Sequence, residues 1–240
     1  MSQQASTPFQ PSNQSQSSDA PIESSALSKV TWFAILQLVV AAGGFVTYLI
    51  YFPAIFSSFM LFSPGSTPST SATLSLLQGL FNYLTVTTAL ALVIQIMAIF
   101  TLWMAFRGFS KVDRTRFSIP GTLTLVLIIG LGLVAVGVVL LFNLLAVVVS
   151  QAIQSTTANP FTAGQLGSFF AAIAVLGIGG LLALVGVIGG EILGLWRVGT
   201  RYESTLIKVG AIFVVIPLLN LVGPVLILIG TLEAKHRLKS

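Results

Sequence analysis

Apolar residues in this chain neither alternate nor keep to one helical face. They fill four runs of 20 or more residues, each holding at most one charged side chain. At 1.5 Å per residue, about 20 residues cross the roughly 30 Å hydrocarbon layer of a bilayer. The pattern therefore predicts membrane-spanning helices over about 30–52, 74–106, 120–149 and 169–196. A membrane barrel would need segments of about ten residues with a period of two. Unbroken runs of this length exclude it.

The polar stretches between the runs fall into two kinds. Residues 63–72 and 150–168 carry turn formers and no charge. Residues 107–119 hold Arg107, Lys111, Arg114 and Arg116 against Asp113, and residues 197–208 hold Arg197, Arg201 and Lys208 against Glu203. Cations concentrate on the cytoplasmic side of membrane helices. Both basic loops and the N-terminus are thus expected in the cytoplasm of a multi-pass plasma-membrane protein. Residues 1–29 are rich in Ser and Gln and poor in large apolar side chains, so they are expected to be a disordered tail. Pro53 is expected to end or kink the first helix, and Pro120 to open the third from its first turn.

The last run, 209–232, is long enough to cross, yet Pro217, Asn220 and Pro224 interrupt it. Each half is only about eight residues, or about 12 Å. Two readings stay open: a re-entrant hairpin shielded by its neighbours, or a proline-kinked fifth transmembrane segment. A hairpin keeps Lys235, Arg237 and Lys239 on the side of the other cations. The fold class is accordingly an all-α integral membrane protein, with residues 30–240 as its helical membrane domain.

Composition agrees with this pattern. With 55% hydrophobic and 7% charged residues and a mean hydropathy of +0.99, the chain cannot cover a soluble core with polar side chains. Its net charge of +5 comes from cations that flank apolar runs, which membrane orientation explains and nucleic-acid binding does not. There is no cysteine, and the single histidine, His236, lies in the basic tail. No Ser/His pair, paired carboxylates, metal-ligand spacing or phosphate-binding glycine loop is present. An enzyme is not expected, nor a cofactor or a metal.

Gly186, Gly190 and Gly194 recur at i, i+4 and i+8, a ridge without side chains against which a neighbouring helix can pack closely. Within it, Glu191 lies six residues from Arg197, about 9 Å inside the span. An ionised carboxylate there is costly unless paired, hydrated or protonated. It either bonds to Arg107, Arg116 or Tyr202 and ties the inner helix ends together, or serves a cation or proton pathway lined by Gln95 and Asn220. Gln95, Asn143 and Asn220 also suit interhelical hydrogen bonds. Leu102-Trp103, a basic loop and Pro120-Gly121 are echoed by Leu195-Trp196, a basic loop and Val209-Gly210, suggesting two hairpins on one plan.

The block Gly189-Gly190-Glu191-Ile192-Leu193-Gly194-Leu195-Trp196-Arg197-Val198-Gly199-Thr200-Arg201-Tyr202, with Lys208-Val209-Gly210-Ala211 and Ile216-Pro217-Leu218-Leu219-Asn220 after it, resembles an archaeal family of small multi-helix membrane proteins. Leu102-Trp103-Met104-Ala105-Phe106-Arg107 and Arg116-Phe117-Ser118-Ile119-Pro120 are similar to that family's other recurring piece, so the likeness covers about residues 95–235. The family is a domain of unknown function. The resemblance implies an archaeal plasma membrane and brings no activity or ligand. Two classes of function remain. One is a structural or accessory protein that packs with another copy or a membrane partner through its glycine faces. The other is a small transporter or channel built on Glu191 and the broken last segment.

Overall fold

The computed structural model describes residues 16–61, 70–154, 163–216 and 219–238. Among the described residues all regular structure is helical. Four long helices come first: α1 (Gln16–Leu61), α2 (Thr70–Val112), α3 (Arg114–Gln154) and α4 (Ala163–Gly186). A π-helical turn, Val187–Ile192, joins α4 to α5 (Leu193–Arg201), and two shorter helices follow, α6 (Thr205–Phe213) and α7 (Val222–Arg237). Among the described residues, four stretches are long and apolar enough to cross a membrane: Asp19–Ile50, Asn82–Val112, Arg114–Val148 and Gly164–Arg201. Between 17% and 28% of the most apolar window of each is buried inside the protein, so the chain by itself leaves much of the apolar surface of these helices uncovered.

Several boundaries differ from the sequence reading, and three of them have a clear physical reason. The helix of the first span starts at Gln16, inside the stretch expected to be a disordered tail. Ala26, Leu27 and Val30 are fully buried there, and docking on the other helices compensates for the low apolar content upstream. Residues 1–15 lie outside the described residues. The same helix runs through Pro53 to Leu61. Proline removes only its own N–H, and the helical hydrogen bonds on either side of it are kept. The basic stretch 107–119 is almost wholly helical, with Asp113 as its sole non-helical residue. Asp113 accepts from the Thr115 hydroxyl at 2.8 Å and the Arg116 N–H at 3.1 Å, the geometry of an N-cap on α3. Pro120 therefore stands at the seventh position of that helix. The two uncharged stretches, expected to be loops, are helical at their described ends, 70–72, 150–154 and 163–168, and residues 62–69 and 155–162 lie outside the described residues.

Consecutive long helices are neighbours: α1 packs on α2, α2 on α3 and α3 on α4, while α7 packs on α1 and α6 on α5. The α6–α7 unit thus closes the row at the end where the basic residues collect. Glycine sets how tightly α3 and α4 meet. A side-chain carbon on Gly130 would lie 2.5 Å from the backbone nitrogen of Ala183, and one on Gly179 would lie 2.8 Å from that of Val134.

The segment 209–232 is two antiparallel helices. Gly210 lies against Gly223 and Ile227, and Gly230 lies against Ile207 and Ser204, so partners rise along α7 as they fall along α6. Pro224 occupies the first turn of α7, where an N–H has no helical acceptor to lose. Pro217 is outside the described residues. The suggested repeat breaks down here, since α3 is one helix of 41 residues and its counterpart is a nine-residue helix, a turn and α7.

The densest part of the core lies at the basic end. Phe106 and Phe117 stack with centroids 6.3 Å apart, Phe109 meets Phe117 at 5.1 Å, and all three are buried. Leu195, Ile207 and Ile227 extend this cluster into α5, α6 and α7.

Candidate functional site

Glu191 sits within the π turn and is 4% exposed. Among the described residues it has no hydrogen-bond donor and no cation within ion-pairing distance. No fully sealed side-chain oxygen lacks a partner, so its carboxyl oxygens keep a narrow contact with the outside. A π turn bonds i to i+5 and holds an extra residue, so side chains beyond it are rotated from the α-helical register. The glycine ridge splits accordingly. Gly186 and Gly190 press on Leu127 and Thr124 of α3, whereas Gly194 receives the ring of Phe106 from α2.

The partners expected for Glu191 are engaged elsewhere. Arg116 pairs with Asp113, Tyr202 donates to Glu23, and Arg107 lies over the Trp103 ring. The other polar candidates do not gather around Glu191 either. Gln95 lines a cleft of about 540 Å³ between α1 and α2, whose lining includes neither Glu191 nor Asn220. Asn220 is half-buried in the turn between α6 and α7. Asn143 donates to the Val139 carbonyl of its own helix at 2.9 Å.

What does gather is a charged knot at the basic end. Glu23 of α1 takes a charge-assisted bond from Arg201 and one of 2.9 Å from the Tyr202 hydroxyl. Arg201 also reaches Asp113, at 3.6 Å, between α2 and α3. Beside this, Lys235 of α7 donates to Ser28 of α1 at 2.9 Å, and Thr31 meets Thr231 at 3.4 Å. Two carboxylates and a guanidinium thereby tie α1 and the α2–α3 corner to the end of α5. The hydrogen bond from Thr115, then the Arg116 N–H and the nearby guanidinium groups, hold the Asp113 carboxyl below its ordinary range. Burial, reinforced by the Glu23 charge, pushes the Tyr202 phenol up. The knot borders an open cleft of about 510 Å³ lined by Asp19, Glu23, Arg201, Tyr202 and Arg237.

Residues 24–240 match a protein family whose description is "protein of unknown function (DUF973)". The chain belongs to that family. No curated protein and no solved structure matches it. The DUF973 region takes in the glycine ridge, the π turn, the α2–α3 corner and the terminal hairpin, a wider span than residues 95–235. It begins one residue after Glu23, within the stretch that sequence alone assigned to the tail.

Glu23 is the functional-looking residue that sequence reasoning missed. A signal for it exists: Ile22, Ala26, Val30 and Phe33 continue the helical spacing of the first apolar run backwards past Lys29. Gln37 and Thr124, buried polar side chains within α1 and α3, were missed as well. Thr124 bonds to the Pro120 carbonyl of its own helix at 2.7 Å. Nothing in a lone Gln or Thr within an apolar run announces such burial.

Proposed function

We propose that this DUF973 protein is a structural or accessory integral-membrane protein, multi-pass in an archaeal plasma membrane, with its N-terminus and basic helix ends in the cytoplasm. The observation that carries the reading is the separation of its polar side chains. Glu191, Gln95 and Asn220 sit on different seams, while the charges that do meet are spent on fastening helix ends. A pathway needs polar groups in series; a scaffold needs helices that cannot slide. Backbone contact through Gly130, Gly179, Gly186 and Gly190 supplies the second.

In this reading α6 and α7 form a re-entrant hairpin. From Val222 to Leu232, ahead of the charged end of α7, is about 15 Å of helix, or half the hydrocarbon layer. The ridge glycines Gly186, Gly190 and Gly194 already face partners within the molecule. Association with another copy or a membrane partner then falls to lipid-facing positions such as Gly177 and Gly180, which have open space beside them.

Reconstitution into liposomes tests the reading. Proton and monovalent-cation flux should match that of protein-free vesicles. Flux well above that level, abolished by Glu191→Gln, would replace the scaffold with a transporter or channel.

A further inference from the structure

A second polar recess lies at the α2–α3 corner and shares no lining residue with the cleft at the charged knot. It has a volume of about 180 Å³ and is lined by Trp103, Arg107 and Ser110 of α2 and by Ser118, Thr122 and Leu125 of α3, over a floor that includes Phe106 and Phe117. That volume is below the range of pockets that enclose a whole small molecule, about 300–1,000 Å³. It suits a fragment anchored elsewhere.

The chemistry of its wall is one-sided. Arg107 is exposed, and its guanidinium carbon stands 4.9 Å from the centre of the Trp103 ring. Among the described residues no carboxylate lies within ion-pairing distance of it, and no acidic residue lines the recess. Arg116 and Arg201, by contrast, have carboxylate partners. Resting on an aromatic face orients a guanidinium without neutralising it. The hydroxyls sort into two roles. Ser110 and Thr122 each donate their one proton to a backbone carbonyl, of Arg107 and Ser118 respectively. Their oxygens are left to accept, which favours a ligand that carries hydroxyl donors beside its anion.

Position names the source of such a ligand. Tryptophan and arginine at the end of a span sit at headgroup depth. Below the recess, Phe100, Leu125 and Ile129 are between 43% and 53% exposed and so face acyl chains. We propose that the α2–α3 corner is a binding site for the headgroup of an anionic phospholipid, with the phosphate on Arg107 and polyol hydroxyls on Ser110 and Thr122. Phosphoglycerol fits this pattern. Phosphocholine has no hydroxyl to donate, and its quaternary ammonium would be repelled by Arg107.

The test is lipid binding to the full-length protein in detergent, read by native mass spectrometry with phosphatidylglycerol and phosphatidylcholine as probes. A charge-assisted contact of this kind is worth roughly 1.5–3 kcal/mol, about tenfold or more in affinity. Arg107→Gln should lower phosphatidylglycerol binding by about that factor. Arg114→Gln removes an equal charge from an exposed position outside the recess and should change it little. Thr122→Val should reduce the preference for phosphatidylglycerol over phosphatidylcholine. Equal losses from Arg107→Gln and Arg114→Gln would reduce the site to diffuse surface charge and overturn the proposal. Full competition by millimolar glycerol phosphate would overturn it in favour of a soluble anion. Circular dichroism of each variant reports folding, and an Arg107→Gln or Thr122→Val variant with wild-type helicity that keeps full selectivity also overturns the proposal.

Discussion

Arg197 supplies the hydrogen bond that Pro120 removes. Proline has no N–H, so the carbonyl four residues earlier, that of Arg116, loses its helical donor. The guanidinium of Arg197, arriving from α5, donates to that carbonyl. A position where α3 would be weakened becomes the point where α5 is fastened to it.

This relationship predicts coupling. Arg197→Ala should destabilise the wild-type chain, and Pro120→Ala should absorb most of that loss by restoring a donor from within α3. A double-mutant cycle of thermal or denaturant unfolding in detergent should give an interaction of about 1 kcal/mol. Additive single effects would mean that the two residues act independently.

Removing the carboxylate of the knot should cost more. Glu23→Ala leaves the Tyr202 hydroxyl without its acceptor and a partly buried guanidinium with only the 3.6 Å contact to Asp113. Because Arg201 is 23% and Glu23 11% exposed at the side chain, water screens part of the loss, and about 2–3 kcal/mol is expected.

Acid should loosen the α2–α3 corner through Asp113. Its carboxyl titrates lower in the folded chain than the unfolded value of about 3.9, so the folded state prefers the ionised form. That contribution is fully present above the unfolded value and is lost as pH falls through the folded one. Asparagine can still cap the helix but cannot ionise. Asp113→Asn should therefore flatten part of the stability loss below about pH 4 while α3 remains capped; an unchanged acid limb would remove Asp113 from that role. Tyr202 acts at the other extreme. Its raised value makes its contribution complete below about pH 10 and lost at higher pH, and Tyr202→Phe should remove that alkaline component.

Glycine substitutions should divide by contact. A side-chain carbon on Gly186 would stand 2.6 Å from both the nitrogen and the Cα of Leu127, whereas one on Gly177 meets nothing within 4 Å. Gly186→Ala has to push α3 and α4 apart and should cost about 1–3 kcal/mol or more. Gly177→Ala should be neutral, or stabilising by up to about 1 kcal/mol through helix propensity. Similar melting temperatures for the two variants would contradict backbone contact at Gly186.

The direction of the terminal hairpin can be read chemically, because the chain contains no cysteine. Cysteine placed by Lys111→Cys and, separately, by His236→Cys should be shielded alike from a membrane-impermeant thiol reagent applied to intact cells. External labelling at 236 but not at 111 would make the last segment a crossing.

What sequence determined by itself is local and additive. Four runs with at most one charge each are long enough for hydrocarbon and too apolar for water, so the four candidate spans and their basic ends can be read residue by residue. The ridge of Gly186, Gly190 and Gly194 is equally visible, because spacing alone puts small residues near one face. Tertiary structure decided what depends on distant partners. Helix from Gln16 onwards rests on Ala26 and Leu27 entering the core and on Glu23 meeting Arg201, 178 residues away. The π turn rotates Gly194 from α3 towards Phe106, and no local propensity announces an extra residue in a turn. Glu191 was legible as a buried carboxylate, but its lack of a partner was not, since Arg116 and Tyr202 could be assigned only once Asp113 and Glu23 were seen to hold them. Charge and length act along the chain, and sequence records them. Pairing acts across it, and only packed helices choose the pairs.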